Sequence, residues 1–132
     1  DAVMMGTRFM ATKESPAHPK FKDWLVRATE NDVIVTQRSI KAPASSLING
    51  PSLKVRELES KGASLQDLLK VTSGQLGERV YFEGDLEAGM ADCGQVVGLI
   101  HDIPTCKELI DRMIKGAQEI IWSKLYPLVN QG

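Results

Sequence analysis

An apolar stripe near the C-terminus constrains the fold of this chain more than any other feature. Thr105 and Glu108 have the spacing of a capping box, in which each side chain satisfies the other residue's backbone N–H. Apolar residues then recur at helical spacing, and Pro127 is expected to end the helix. The stripe consists of Leu109, Ile110, Met113, Ile114, Ala117, Ile120, Ile121 and Leu125. Such a stripe needs an apolar surface to pack against, so it is most simply part of a core.

The composition describes a globular domain of ordinary size. The chain has 132 residues, of which 42% are hydrophobic and 25% are charged. Its 16 basic and 17 acidic residues give a net charge of -1, which offers no support for nucleic-acid binding. No apolar run approaches the ~20 residues of a membrane helix, and two cysteines are too few for a disulfide scaffold. We therefore expect a cytoplasmic protein with neither a nucleic-acid nor a membrane partner.

Turn and capping residues divide the rest of the chain into short elements. Pro19 suits a first helical residue capped by His18 or Ser15, and Ser64 begins another capping sequence. Strands are predicted over 1–5 and 33–36. Helices are predicted after Gly6, from Pro19 to about residue 31, over 45–48, over 53–60, after Ser64, in a short segment that ends at Phe82, over 94–100 and over 105–126. The fold class expected for the isolated chain is therefore mostly α with short strands (α+β).

The first residues indicate a strand without an obvious partner. Ala2 to Met5 form a short apolar run that Gly6 closes, which is typical of a buried strand. A strand in this position would carry unpaired backbone groups on both edges. The simplest expectation is that the chain is a piece of a longer protein.

A strand, a glycine and a helix N-terminus together form an arrangement that can bind phosphate. At Gly6 the backbone can approach an anion closely, and the N–H groups of the first helical turn point towards it. Thr7 adds a hydroxyl donor. In (β/α)8 barrels a phosphate site of this kind follows the last two strands, although the same pattern is also common as a plain turn. Arg8 either contacts the phosphate or, as is more common, pairs with a carboxylate.

The other reactive side chains form no catalytic or metal-binding pattern. His18 lies where a helix cap is expected. His101 follows the predicted helix over 94–100, and a histidine is common at the C-terminal end of a helix without any catalytic role. Cys93, beside Gly94, either lies near a pocket or is a small buried hydrophobe, as free cysteines usually are. The histidines and cysteines lack the spacing of metal ligands, and no two acids stand out as a general acid and base. We predict no metal site and assign no catalytic residue.

Three segments, in order along the chain, resemble the nitronate monooxygenases and the related flavin-dependent enoyl-acyl-carrier-protein reductases. Residues 1–9, DAVMMGTRF, are similar to the family segment GADGVQMGTRF. Residues 13–19, KESPAHP, are similar to its ES-x-AH stretch. Gly84-Asp85 together with residues 93–100, CGQVVGLI, resemble its GD and AGQ-x-x-GL region. Only residues 43–70 match loosely, because the family tends to have a basic residue where this chain reads ASSLING.

The resemblance implies that the parent protein is an FMN-binding (β/α)8 TIM barrel with a small lid domain inserted after the last strand. Residues 1–12 then correspond to the last barrel strand and the phosphate-binding turn with its short helix. Residues 13–103 correspond to the helical lid domain, and residues 104–132 to the final barrel helix and tail.

The resemblance also implies roles for individual residues. Gly6 and Thr7 would bind the FMN phosphate through their backbone N–H groups and the Thr7 hydroxyl. The substrate side of the flavin would be lined by a second set of residues in the lid. This set consists of Met90, Cys93, Gly94 and Gln95. The catalytic histidine of the family lies outside this chain.

The activity implied for the parent is that of an FMN-dependent oxidoreductase acting on a small-molecule substrate. Oxidation of alkyl nitronates with O2 is the first reading, and NAD(P)H-dependent reduction of an enoyl thioester is the alternative. Without the rest of the barrel, the chain is expected to be inactive and to retain no FMN. A second alternative is a non-catalytic helical interaction domain, whose first strand would join the sheet of a partner. Apolar faces that would normally meet the barrel predict a homodimer.

Overall fold

The computed structural model describes residues 2–129 and contains seven α-helices and two strands in that range. The helices are α1 (Thr7–Met10), α2 (Pro19–Arg27), α3 (Gly50–Ser60), α4 (Leu65–Thr72), α5 (Gly74–Glu78), α6 (Cys106–Ile120) and α7 (Tyr126–Val129), and the strands are β1 (Val33–Thr36) and β2 (Ala44–Leu47). Short 3-10 turns cover Glu30–Asp32 and Gln95–Leu99, and wider π-helical turns cover Arg79–Glu83 and Ile121–Leu125. The predicted fold class, mostly helical with short strands, is confirmed for these residues.

The two strands form an antiparallel hairpin in which Val33 lies opposite Leu47. The prediction of a helix over residues 45–48 is wrong, because residues 44–47 form β2. β1 supplies backbone hydrogen-bond partners for this segment that the local sequence pattern does not reveal. On its other side, β2 contacts residues 91–93. The N–H of Leu47 donates to the carbonyl of Ala91, and the N–H of Cys93 donates to the carbonyl of Ser45, both at 2.9 Å. β2 is therefore the central strand, and the outer edge of β1 has no strand beside it in residues 2–129.

The strand predicted over residues 1–5 is not present in the described part of the chain. Asp1 lies outside the described residues, and residues 2–5 belong to no helix or strand. The side chains of Val3 and Met4 are 83% and 100% exposed. No described strand runs beside this segment, so its backbone groups have no ladder partners with which to form a sheet.

The core is built around Phe21 on α2, which is fully buried. Its ring makes edge-to-face contacts with Tyr81, at a centroid distance of 5.0 Å, and with Trp24, at 6.4 Å. Around these rings pack Ala11, Ala17, Leu25, Ala28, Leu47, Val80, Ala91, Cys93, Val97 and Ile100. A second, smaller cluster contains Val55, Leu68 and Met90. Segments 11–28 and 80–100 are therefore held together by one continuous apolar core.

Local capping signals predict the starts of α2 and α4 correctly, whereas α3 begins at Gly50 and not at residue 53 because Asn49 caps it. His18 caps α2, because its Nδ1 accepts from the N–H of Lys20 at 3.2 Å. Ser64 caps α4 by accepting from the N–H of Asp67. The end of α2 is less well predicted. The helix stops at Arg27 rather than near residue 31, because a separate 3-10 turn with its own capping box begins after Thr29.

The C-terminal helix has the predicted start but a different end and environment. The Glu108 carboxylate accepts from the N–H of Thr105 at 2.7 Å, which completes the capping box. Pro127 does not end the helix. After α6 the backbone forms the π-helical turn and then continues as α7, which contains Pro127. The π-helical turn replaces the regular α-helical hydrogen bonds just before the proline, which has no N–H to donate. None of the described helices combines the length and the apolar character needed to cross a bilayer.

The apolar stripe of α6 is mostly not part of the core of residues 2–129. Leu109 is 2% exposed, whereas Ile114 and Ile120 are 54% and 50% exposed. Further along, Trp122 and Leu125 are also more than half exposed. Most of the stripe is therefore outside the apolar core that surrounds Phe21.

Candidate functional site

The start of α1 and the segment around residue 94 meet through one hydrogen bond. The hydroxyl oxygen of Thr7 accepts from the backbone N–H of Gly94 at 3.0 Å. The bond joins a predicted cofactor residue to a predicted substrate-lining residue. A Cβ added at Gly94 would lie 4.0 Å from the Thr7 hydroxyl and 3.9 Å from Val96 Cγ1. The Gly94 backbone therefore lies in close contact with α1.

The turn at Gly6 presents donors and open space. The N–H groups of Phe9 and Met10 donate to the Gly6 carbonyl at 3.0 and 3.2 Å and so close the first turn of α1. The N–H groups of Thr7 and Arg8 come before that turn and have no partner within the helix. A Cβ placed at Gly6 would meet nothing within 4 Å. Because Thr7 accepts from Gly94, its hydroxyl hydrogen remains able to donate. This surface fits a phosphate group.

Arg8 forms an ion pair with a carboxylate, the more common of the two roles considered for it. Its guanidinium lies 2.7 Å from the Asp102 carboxylate and also donates to the Asp102 carbonyl at 3.1 Å. Arg112 on α6 binds the same carboxylate at 2.9 Å. The Arg112 and Arg8 guanidinium groups outweigh partial burial and lower the pKa of Asp102. Asp102 therefore links α1 to α6 and directs the Arg8 side chain away from the Gly6 turn.

Two of the predicted substrate-lining residues have buried side chains. Cys93 and Met90 are each 5% exposed and belong to the two core clusters. Burial, together with the Asp92 carboxylate, raises the pKa of the Cys93 thiol to about 11, so this thiol stays protonated near neutral pH. Gln95 is exposed and begins the 3-10 turn that follows Gly94. Of the four predicted residues, Gly94 and Gln95 are the two at the surface near Thr7.

Two side chains near this segment carry polar groups that the sequence analysis did not identify. The hydroxyl oxygen of Tyr81 accepts from the N–H of Asp92 at 2.8 Å. Burial raises the pKa of Tyr81 to about 12, and burial also raises the pKa of Asp92. In the sequence, Tyr81 is simply one residue of a predicted apolar helix. Its packing against Phe21 places its hydroxyl beside the backbone of Asp92, and the sequence pattern gives no sign of this contact.

Open cavities flank α1 on both sides. One, of about 550 Å³, is lined by Arg8, Val96, Leu99 and Met113 among others. The other, of about 410 Å³, is lined by Gly6, Phe9 and Pro16 among others. Within residues 2–129, no three histidine, cysteine, aspartate or glutamate side chains converge on a point that could hold a metal ion.

Comparison with known proteins identifies the family. A family model described as nitronate monooxygenase matches residues 1–116. The chain belongs to the nitronate monooxygenase family. The resemblance seen in the three sequence segments is thereby confirmed, and with it the relation to a family of FMN-dependent oxidoreductases.

Two proteins with curated names are similar to this chain. Both are named (3aS,4S,5R,7aS)-5-hydroxy-7a-methyl-1-oxo-octahydro-1H-indene-4-carboxyl-CoA dehydrogenase. The protein from Rhodococcus jostii (strain RHA1) is 54% identical over 87% of this chain and 43% of its own length. The protein from Mycobacterium tuberculosis (strain ATCC 25618 / H37Rv) is 24% identical over 87% of this chain and 42% of its own length.

Solved structures of FabK from Thermotoga maritima resemble the fold of this chain. One has a TM-score of 0.86 at 35% identity and matches 97% of this chain but 40% of the FabK chain. A mutant of the same FabK has a TM-score of 0.77 at 34% identity, with 96% and 37% covered. The chain thus spans about two-fifths of the length of the curated relatives and solved structures that it matches.

Proposed function

We propose that this chain is the lid-bearing part of an FMN-dependent oxidoreductase and that Gly6 and Thr7 bind the FMN phosphate. The observation that carries the proposal is the Thr7–Gly94 hydrogen bond of 3.0 Å, within a family match that covers residues 1–116. Bound FMN would supply the redox chemistry of the enzyme. The chain would supply binding groups, orientation and exclusion of water.

Each residue of the proposed site has a defined task. The open space beside Gly6 lets a phosphate reach the N–H groups of Thr7 and Arg8. The Thr7 hydroxyl donates its hydrogen to the phosphate while its oxygen stays bound to the Gly94 N–H. This shared hydroxyl orients residues 94–95 relative to the cofactor. Cys93 supports them from the core as a neutral side chain and takes no part in proton transfer.

We propose further that the 132 residues alone are inactive and retain no FMN. The phosphate end of a flavin is the part that Gly6 and Thr7 reach, and the matched FabK chain contains a further three-fifths of sequence. Mixing the purified chain with FMN and measuring the bound flavin absorbance after gel filtration tests this proposal. Stoichiometric flavin on the isolated chain would contradict it.

Two substrate classes are supported by different observations. The name of the family model supports alkyl nitronates, oxidised with O2. The relative with 54% identity supports a CoA thioester, from which the flavin would accept two electrons with the accompanying protons. That identity exceeds the 35% shared with FabK, so we propose oxidation of a CoA thioester first, ahead of the reductase reading. Oxidation of a nitronate, which the family model alone supports, is second. Reduction of an enoyl thioester by NAD(P)H is the third reading.

Assays on the FMN-loaded parent protein separate these readings. Anaerobic bleaching of the flavin by a hydroxyacyl-CoA supports thioester oxidation. Oxygen consumption with an alkyl nitronate supports the nitronate monooxygenase reading, and NAD(P)H oxidation that depends on an enoyl thioester supports the reductase reading. Flavin binding without turnover of any of the three substrates would contradict all three readings.

A further inference from the structure

A groove of about 580 Å³ runs between the outer edge of β1 and helix α3, and neither Thr7 nor Gly94 lines it. Its walls combine a strand, a hairpin loop and one face of a helix. The lining residues are Val33, Ile34, Val35, Arg38, Ser39, Arg56, Glu59 and Ser60. Two arginines and one carboxylate give this lining a formal charge of +1. The groove plays no part in the FMN site described above.

The loop that carries Arg38 is held in a strained conformation. Gln37 and Lys41 have φ angles of 61° and 58°, which are unusual for residues other than glycine. The Glu59 carboxylate accepts from the N–H groups of Gln37 and Ser39, both at 2.9 Å, and from the Ser39 hydroxyl at 2.8 Å. Burial would raise the pKa of Glu59, but these donors outweigh it and lower the pKa. Arg38 therefore extends from a fixed loop.

Neither arginine of the groove has a carboxylate partner. In residues 2–129 no carboxylate oxygen lies within 4.0 Å of the Arg38 or Arg56 guanidinium, whereas Arg8, Arg79 and Arg112 all form ion pairs. The Glu59 oxygens are already bound by the loop donors. Two guanidinium groups beside the Ser39 and Ser60 hydroxyls are suited to bidentate contacts with phosphate oxygens.

The edge of β1 supplies a second kind of contact. Three consecutive residues, 33–35, line the groove, although neighbouring side chains in a strand point to opposite faces. It is therefore the backbone edge that borders the groove, and this edge has no strand beside it among the described residues. A linear ligand that contains amide groups can pair with such an edge as an added strand would.

The β1 edge and the segment that leads into Gly94 lie on opposite sides of β2. β1 is followed across the sheet by β2 and then by residues 91–93, which lead directly into Gly94. Neighbouring strands are about 4.8 Å apart, so roughly 10 Å separates the β1 edge from residues 91–93. An arm anchored in the groove therefore has to cross roughly 10 Å of the sheet before it reaches the segment that leads into Gly94.

We propose that this groove binds the phosphate-bearing arm of a CoA thioester. Arg38 and Arg56 contact the phosphates of the nucleotide end, and the β1 edge pairs with the amide groups of the pantetheine arm. Glu59 is a positioning residue, because it acts by holding the Arg38 loop. The inference rests on the proposed function and names the part of the chain that selects CoA thioesters as substrates.

Kinetics on the FMN-loaded parent protein test the proposal. The variant Arg38→Gln/Arg56→Gln is compared with wild type and with Arg27→Gln, which removes an exposed arginine outside the groove. The KM for a CoA thioester is expected to rise at least tenfold in the double variant and to stay unchanged in the control. The KM for the same acyl group on N-acetylcysteamine, which lacks the phosphates, is expected to be unchanged in all three proteins. Equal KM values for the CoA thioester would overturn the proposal.

Binding of free CoA, measured by calorimetry on the same samples, makes the test independent of turnover. CoA binding that weakens at least tenfold in the double variant supports the groove. Absent binding to wild type, or equal binding to both proteins, overturns it. The FMN content of each sample is measured in parallel. A wild-type parent protein that binds no FMN would contradict the proposed function, whereas unchanged CoA binding in an FMN-loaded double variant would contradict the groove proposal alone.

Discussion

The backbone N–H of Gly94 donates to the hydroxyl oxygen of Thr7 at 3.0 Å, across 87 positions of the chain. This single bond joins the turn that would bind the FMN phosphate to the segment that would lie over the flavin. If Thr7 binds the FMN phosphate as proposed, a change at Thr7 should therefore affect both FMN binding and the position of Gly94.

Replacing Thr7 with valine should weaken FMN binding to the parent protein at least tenfold. Valine keeps the branched shape but removes the donor to the phosphate and the acceptor for Gly94. Hydrogen bonds to charged groups contribute about 1.5–3 kcal/mol, and ~1.4 kcal/mol corresponds to a tenfold change in affinity. Fluorescence titration of the apoprotein with FMN measures the effect. Thr7→Ser, which keeps the hydroxyl, should stay close to wild type, and equal affinities for Thr7→Val and wild type would remove Thr7 from the site.

Replacing Asp102 with asparagine should destabilise the chain at neutral pH by about 1 kcal/mol, since the carboxylate is partly exposed and its ion pairs are screened by solvent. The folded-state pKa of Asp102 is lowered, principally by Arg112. Its stabilising effect is therefore complete above the unfolded pKa and is lost as pH falls through the folded pKa. Urea unfolding should show a difference from wild type at pH 7 that shrinks in strong acid.

The matched control for Asp102 is Asp111, whose carboxylate lies 2.5 Å from the exposed Lys107 ammonium. Because both partners of this pair are solvated, Asp111→Asn should change the free energy of unfolding by less than about 0.5 kcal/mol. An equal loss in the two variants would show that the link between α1 and α6 adds nothing beyond an ordinary surface pair.

Replacing Gly84 with alanine should cost considerably more stability than the same change at Gly62. Both glycines have a positive φ, of 72° and 70°. A Cβ at Gly84 would overlap the His18 ring, at 2.7 Å from its Cγ and Cε1, whereas a Cβ at Gly62 would meet nothing within 4 Å. We expect a loss of ~1 kcal/mol at Gly62 from backbone strain and of at least ~2 kcal/mol at Gly84 from the added overlap. Thermal unfolding measures both, and similar melting temperatures would argue against close packing of His18 on Gly84.

Replacing Thr36 with valine should leave stability unchanged or raise it by up to about 1 kcal/mol, because the isosteric change removes a buried hydroxyl that has no hydrogen-bond partner within residues 2–129. Thr12 is the matched control. It is also buried, but its hydroxyl donates to the carbonyl of Phe9 at 2.7 Å. Thr12→Val should therefore cost about 1–3 kcal/mol in chemical unfolding. Comparable losses in both variants would mean that the Thr36 hydroxyl is satisfied in solution.

The two cysteines should differ in reactivity towards a disulfide reagent at pH 8. Burial, with the Asp92 carboxylate, raises the pKa of Cys93 to about 11, so its reactive thiolate is scarce, and the side chain is 5% exposed. Cys106 is only partly buried. We expect Cys106 to react first and Cys93 to react only upon unfolding. In Cys106→Ser, rapid reaction of the remaining thiol under native conditions would show that Cys93 is accessible.

Self-association through the exposed face of α6 also stays a prediction. Ile110, Ile114 and Ile120 form an apolar surface that nothing in residues 2–129 covers. Light scattering across a concentration series measures the outcome, and a monomer at the highest concentration would contradict it.

The features that were predicted correctly depend on neighbours in sequence. The capping box of Thr105 and Glu108, the His18 cap and the β-branched strand at 33–36 are all determined within a few residues. The Gly6-Thr7 turn before a short helix is local as well. Short-range hydrogen bonds and steric preferences decide such features, and the amino-acid order specifies them directly.

The features that were missed depend on partners far along the chain. Residues 44–47 form a strand because β1 lies beside them. Residues 2–5 do not form a strand, because no strand within residues 2–129 lies beside them. Arg8 could bind a phosphate or a carboxylate until the fold brought Asp102, 94 residues away, within 2.7 Å.

The sequence by itself thus determined the family, the starts of α2, α4 and α6, and the turn at Gly6 before α1, because these follow from local motifs. Tertiary structure decided which distant residues come together. The Gly94 N–H reaches the Thr7 hydroxyl, Arg8 pairs with Asp102, and Arg38 and Arg56 line one groove. Ladder pairing, burial and charge pairing between distant residues depend on the closure of the whole core, and no local pattern encodes that closure.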